Sequence, residues 1–130
     1  MEDSIFTKII KGEVPSHKIY ENDKTLAFLD IYSQVEGHIL VIPKKQVEFV
    51  WDLEHDDYHA LMDTTQKVAN RLREVLNVSY IGEKIIGTDV PHAHVHLIPF
   101  DEHEIFKEAN DKNVEPDHTA LAHLAEKLRF

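Results

Sequence analysis

The sequence predicts a single α+β domain: an antiparallel sheet of about five strands, one long helix, and N- and C-terminal helices packed against the sheet. Three observations lead there. Five short segments are apolar or alternating and are bounded by turn residues, as strands are. One stretch, residues 56–76, repeats its apolar side chains at helical spacing. The 130 residues are 42% hydrophobic and 29% charged, which suits one core under a solvated surface.

The elements follow in chain order. Ile5, Phe6, Ile9 and Ile10 recur at helical spacing; Asp3 or Ser4 offers the N-cap, and Gly12 then Pro15 ends the helix. Residues 17–20 and 25–31 read as strands joined by the polar turn Glu21-Asn22-Asp23-Lys24. After Gly37, residues 38–42 form a continuous apolar run that stops at Pro43, the pattern of a buried central strand. Within 56–76, Leu61, Thr65, Val68, Leu72 and Val75 make an inner stripe. Residues 80–86 and 93–98 are the last two strands, and a helical pattern returns after Pro116 with Leu121, Leu124 and Leu128 as its ridge.

Composition excludes several classes. With no cysteine there is neither a disulfide framework nor a thiolate metal site. A net charge of −10 repels nucleic-acid polymers and anionic membranes, so a phosphate site must rely on local donors. No apolar run approaches a membrane span, and the acidic start Met1-Glu2-Asp3-Ser4 is unlike a signal peptide. A cytoplasmic protein is expected.

The most informative stretch is Pro91-His92-Ala93-His94-Val95-His96-Leu97-Ile98-Pro99. On a strand the side chains alternate, so His92, His94 and His96 share one face while Ala93, Val95 and Leu97 enter a core. Successive imidazoles are then roughly 7 Å apart, from two residues of strand rise, a row wide enough to span a phosphate. A transition-metal site and a polar strand face that happens to be histidine are the alternatives. The pair His55 and His59 has metal-binding spacing but no obvious third ligand, and a solvated helix face explains it. His103, His118 and His123 form no pattern, Lys44-Lys45 is too short for a nucleic-acid patch, and Trp51 reads as a packing or interface residue.

Together with the segments before it, the row resembles the histidine triad (HIT) family of nucleotide hydrolases and transferases. Residues 92–98 match the family motif His-φ-His-φ-His-φ-φ, with φ hydrophobic, at every position. Ser4-Ile5-Phe6-Thr7-Lys8-Ile9-Ile10 with Glu13-Val14-Pro15 is similar to the family's opening helix, and Leu26-Ala27-Phe28-Leu29-Asp30-Ile31 to its nucleoside-binding strand. Gly37-His38-Ile39-Leu40-Val41-Ile42-Pro43-Lys44 is similar to its Gly-His strand. The resemblance implies one HIT domain over 1–130, with the motif-bearing part at about 3–100 and a helical extension at about 101–130.

The resemblance further implies attack on a nucleotide α-phosphorus by the central histidine, His94, followed by hydrolysis of a nucleotidyl-histidine to a nucleoside monophosphate. Such covalent catalysis splits one difficult displacement into two. His92 and His96 would flank the nucleophile, His96 donating to the phosphate or leaving group, and His38 would position the triad. Phe6, Ile9 and Phe28 match positions that sandwich the base. Asp30 matches the carboxylate that binds the ribose hydroxyls, Ile31 its neighbour on the sugar, and Thr88 a phosphate-contacting glutamine. Asp89 stands where a serine is common, so its charge opposes an incoming phosphate. Ser4 and Thr7 stand where some members carry zinc-binding cysteines; no metal and no cofactor is expected. The expected substrate is a purine nucleotide: a 5′-phosphoramidate, an adenylate or a dinucleoside polyphosphate. A homodimer through the long helix and an adjoining strand is also implied. Two other readings stay open, a catalytically weak nucleotide-binding module that signals through partners and a metal-dependent hydrolase, which chelation would reveal.

Overall fold

The computed structural model describes residues 1–33, 35–101, 115 and 117–129. Their elements are α1 (Ile5–Ile10), β1 (Lys18–Glu21), β2 (Thr25–Leu29), β3 (Ile39–Pro43), a 3-10 turn (Val50–Asp52), α2 (His55–Leu76), β4 (Tyr80–Lys84), β5 (Val95–Phe100) and α3 (His118–Leu128). The five strands form one sheet in the order β1-β2-β3-β5-β4, antiparallel throughout. The α+β architecture read from the sequence is the one found, except that α3, expected to pack against the sheet, buries none of its residues.

The continuous apolar character of β2 and β3 has a simple cause: both faces of these central strands are covered. They pair from Thr25↔Pro43 to Leu29↔Ile39, and alternation sends their side chains to opposite sides. Leu26, Phe28, Leu40 and Ile42 join Phe6 and Ile9 of α1 on one face. Ala27, Ile39 and Val41 join Val95 and Leu97 of β5 and Leu61, Val68 and Leu72 of α2 on the other. Full burial of each large apolar side chain is worth about 1.5–3 kcal/mol, so the sheet is held between the two helices.

Helix α2 starts one residue earlier than expected. Asp56 and Asp57 in its first turn and Arg73 in its last complement the helix dipole. It stops where Asn77 turns left-handed (φ 54°) and donates its N–H to the Arg73 carbonyl at 3.1 Å. Two positions of its inner stripe differ from expectation. Thr64 is buried, made tolerable by a 2.7 Å hydrogen bond to the Thr25 hydroxyl. Val75 is 61% exposed, because Leu72 and Leu76 are the side chains that reach over Gly37. Gly37 itself has φ +84°, and a Cβ there would lie 2.5 Å from Leu76 Cδ1, so the turn into β3 requires glycine.

Strand ends also shift. β2 stops at Leu29 rather than at residue 31, since the Asp30 carboxylate accepts the Tyr32 N–H at 2.9 Å and closes a turn. β4 stops at Lys84, and β5 starts only at Val95. Helix α3 is capped by Asp117, which accepts the Ala120 N–H at 3.0 Å. Leu121, Leu124 and Leu128 lie on it as expected but are 50% exposed or more; the helix buries none of its residues in the protomer. Among the described residues, no helix is long and apolar enough to cross a membrane.

Candidate active site

The histidine row leads into β5 from a bend: His92 lies in the bend, His94 just before the strand, and only His96 on it. The approach to the strand is pinned by two backbone bonds, His92 N–H to Val90 O at 2.8 Å and Ala93 N–H to Val47 O at 2.7 Å. Ala93, Val95 and Leu97 enter the core under α2 as expected. The histidines take the opposite side, where Phe6 of α1 meets His92 and His94 edge to face at 5.8 and 5.2 Å. The rings are not an even row at roughly 7 Å, however. Those of His94 and His96 approach to 5.2 Å between centroids, because each imidazole is turned by a different partner.

His92 is fully buried and is not among the residues lining the cleft; it meets His94 through its backbone carbonyl. Its Nε2–H donates to the Pro43 carbonyl at 2.7 Å, and its Nδ1 lies 2.7 Å from Ser4 Oγ and 3.3 Å from Thr7 Oγ1. Burial holds its pKa below the ordinary histidine value, offset in part by the Pro43 bond. His94 is 4% exposed, and its Nδ1–H donates to the backbone carbonyl of His92 at 2.7 Å. The nitrogen left to carry a lone pair is Nε2.

His38 does sit beside the triad. Leu40 pairs with His96 across β3 and β5, and His38 lies just before β3. His38 Nε2 is 2.9 Å from His96 Nδ1, its Nδ1 is 2.7 Å from Ser33 Oγ, and Asp30 Oδ2 is 3.7 Å from His38 Nε2. Burial lowers the pKa of His38, with Asp30 pulling it upward and Lys84 adding a smaller downward push. Burial, with His94, His38 and Lys84 alongside, pushes His96 down to about 4. Asp30, His38 and His96 place an oxygen and two ring nitrogens within 4.8 Å of one another, the one grouping among the described residues that could hold a metal ion. The two nitrogens are already hydrogen-bonded to each other.

A cleft of about 410 Å³ opens between α1, β2 and the histidines, the size range of a small-ligand site. Phe6, Ile9 and Phe28 wall it from the core side, so these residues serve packing and cleft at once. Asp30, Ile31, His94 and His96 also line it. Ile31 is 68% exposed at the rim. Thr88 does not line the cleft; its hydroxyl turns to the Asp89 carboxylate at 3.4 Å, and Asp89 is the residue on the wall.

Sequence reasoning missed Ser33, Tyr32 and Gln46. Tyr32 lines the cleft, and Gln46 Oε1 accepts from Ser4 N–H at 2.9 Å and Thr7 Oγ1 at 2.6 Å. No periodicity marks a polar side chain on a loop, so none of the three carried a signal. The rings of His55 and His59 lie 4.2 Å apart on α2, and no third ligand joins them among the described residues. His118 and His123 lie on α3, and His103 falls outside the described residues.

Comparison with known proteins shows the family and the fold. The family model described as HIT domain matches residues 11–103. The chain is 37% identical over 124 residues to an uncharacterized HIT-like protein of Borreliella burgdorferi, covering 88% of this chain and 89% of the relative. It is 38% identical over 96 residues to adenosine 5′-monophosphoramidase HNT1 of Saccharomyces cerevisiae, covering 73% of this chain and 61% of that protein. Among solved structures, a Streptococcus mutans protein superposes with a TM-score of 0.82 at 35% identity, covering 98% of this chain and 83% of the other. A Bacillus subtilis member of the HIT family superposes with a TM-score of 0.78 at 29% identity, covering 99% and 98%. The fold is an α+β HIT-like fold, and the candidate site is the cleft that His94 and His96 line. The chain belongs to the HIT family.

Proposed function

We propose that the protein hydrolyses a nucleotide at its α-phosphate through a nucleotidyl-histidine intermediate, with His94 Nε2 as the nucleophile. One observation carries the reading: His94 lines the cleft with its Nδ1–H committed to the His92 carbonyl at 2.7 Å, which reserves Nε2 for attack. In the first step the Nε2–phosphorus bond forms and the bond to the leaving group breaks, its electron pair departing with that group. A proton must meet the leaving group. The Ser33 hydroxyl has two acceptors, His38 Nδ1 at 2.7 Å and the Val35 carbonyl at 3.3 Å; with its proton on the shorter bond, His38 Nε2–H donates to His96 Nδ1 and His96 presents Nε2–H as the donor. Water then attacks phosphorus and gives up a proton that restores His96, the P–N bond breaks, and its electron pair returns to His94 Nε2 as the nucleoside monophosphate forms.

The substrate class proposed is a purine nucleoside 5′-phosphoramidate, adenylate or dinucleoside polyphosphate. Support comes from the apolar walls Phe6, Ile9 and Phe28, which suit a base, and from the Asp30 carboxylate beside them, which suits ribose. The relatives named adenosine 5′-monophosphoramidase in Saccharomyces cerevisiae and Schizosaccharomyces pombe point the same way. Asp89 on the cleft wall favours one second reading, a nucleotide-binding module with little turnover. Incubation with adenosine 5′-phosphoramidate separates the two: AMP and ammonia at many turnovers per protomer are expected, whereas nucleotide binding without turnover overturns the hydrolase.

A further inference from the structure

We propose that Ser4 is a positioning residue: one hydroxyl both caps α1 and fixes the His92 imidazole whose backbone carbonyl orients the nucleophile. The proposal rests on the reading of His94 above and adds a residue eighty-eight positions from His92 in sequence.

The shortest bonds around Ser4 select one arrangement of protons, in which the longer contact of Ser4 Oγ with Thr7 Oγ1 at 3.3 Å goes unused. A backbone N–H can only donate and a backbone carbonyl can only accept. Ser4 N–H donates to Gln46 Oε1 at 2.9 Å, which fixes that end of the amide as oxygen, and Gln46 Nε2 donates to the Glu2 carbonyl at 2.9 Å. The Thr7 hydroxyl gives its proton to the same Oε1 at 2.6 Å, so it has none for His92. The Pro43 carbonyl requires His92 Nε2 to be the protonated nitrogen, and Nδ1 is then an acceptor. Ser4 Oγ receives the Thr7 N–H at 3.0 Å and donates its proton to His92 Nδ1 at 2.7 Å. Ser4 is 6% exposed and His92 fully buried, so water does not readily replace a missing partner.

The functional consequence lies in what the two ends of this chain of bonds hold. Ser4 starts the helix that sets Phe6 and Ile9 into the cleft. His92, through its carbonyl, holds His94 Nδ1–H at 2.7 Å. Base-binding wall and nucleophile are thereby placed relative to each other by the Ser4–His92 bond. Misplacement of a reacting group by about 1 Å costs on the order of a hundredfold in rate, so loss of this bond should fall on kcat.

Three measurements test the proposal. In wild-type protein, two-bond ¹H–¹⁵N correlation of the imidazoles should show His92 protonated on Nε2 and unprotonated on Nδ1; a proton on Nδ1 overturns the assignment, with no variant needed. Ser4→Gly removes the hydroxyl, and glycine is nearly as good an N-cap as serine. With adenosine 5′-phosphoramidate, its kcat should fall about 10–100-fold with KM within about threefold, and the His94 Nδ1–H resonance should lose its protection from exchange. Ser4→Thr, which restores a donor, should recover most of kcat. Unchanged kcat in Ser4→Gly, a loss confined to KM, or no recovery in Ser4→Thr contradicts the positioning role. Absence of turnover in wild type defeats the hydrolase reading instead, and the tautomer and exchange measurements still decide the role of Ser4.

Discussion

Asp30 offers a quantitative test of the ribose assignment, through Asp30→Asn. Its side chain is only 19% exposed, so hydrogen bonds to the carboxylate form in a partly desolvated site. Oδ1 already accepts the Tyr32 N–H at 2.9 Å, a bond that asparagine can keep, so the turn after β2 should survive. What asparagine loses is the charge that ribose hydroxyls would meet. Hydrogen bonds to a charged group contribute about 1.5–3 kcal/mol. At about 1.4 kcal/mol per tenfold, AMP should bind roughly 10–150-fold more weakly. The other effect of the carboxylate is its upward pull on the His38 pKa; losing it lowers that pKa further and leaves His38 neutral at pH 7. Calorimetric titration of wild type and Asp30→Asn with AMP and with 2′,3′-dideoxy-AMP forms a double-mutant cycle. Removing the hydroxyls should weaken binding to the wild type and barely affect the variant. Two penalties that simply add, or unchanged affinity for AMP, would show that Asp30 serves only the turn.

Other outcomes follow from the same geometry. Asp89 lines the cleft, so Asp89→Ser should raise kcat/KM several-fold, most at low salt; a large loss in steady-state kinetics would mean that the carboxylate instead orients a cleft group. In pH terms, His96 sits near 4 when folded and His38 and His92 lie below the usual value. The unfolded chain, with histidines near 6.5, therefore takes up more protons as pH falls. Stability should be level with respect to these groups above about pH 6.5 and decline progressively toward pH 4, a trend that thermal melts should show weakened in His96→Asn. We also propose a homodimer through the 3-10 turn, α2 and the edge strand β4, since Trp51 of the turn and Val75 of α2 are exposed at 71% and 61%. Light scattering should give twice the 15.1 kDa protomer mass, and a monomer at micromolar concentration would refute it.

How far the sequence could be read depended on the kind of contact involved. β2 and β3 were legible because burial on two faces forces continuous apolar runs, and the His row because alternation is a property of the backbone. Asp30 was legible through the resemblance of residues 26–31 to the family's nucleoside-binding strand. The separate fates of the three histidines were not legible. That His92 is buried, that His94 lines the cleft and that His96 pairs with His38 depends on hydrogen bonds to Ser4, Pro43 and Ser33 across three different elements. Gln46 meets Ser4 across forty-two positions, a distance over which no local pattern carries information. Val75 and the leucines of α3 were misplaced for a related reason: an apolar stripe shows which side of a helix is apolar, and not whether anything covers it.

Covalent attack by His94 is tested most directly by trapping the intermediate. Wild-type protein quenched in acid-free denaturant during turnover of adenosine 5′-phosphoramidate should carry one adenylyl group, mapped by peptide mass spectrometry to His94. His94→Ala should fold, bind AMP, carry no label and lose turnover by several orders of magnitude. Label on His92 or His96, or near-normal turnover in His94→Ala, would contradict the assignment.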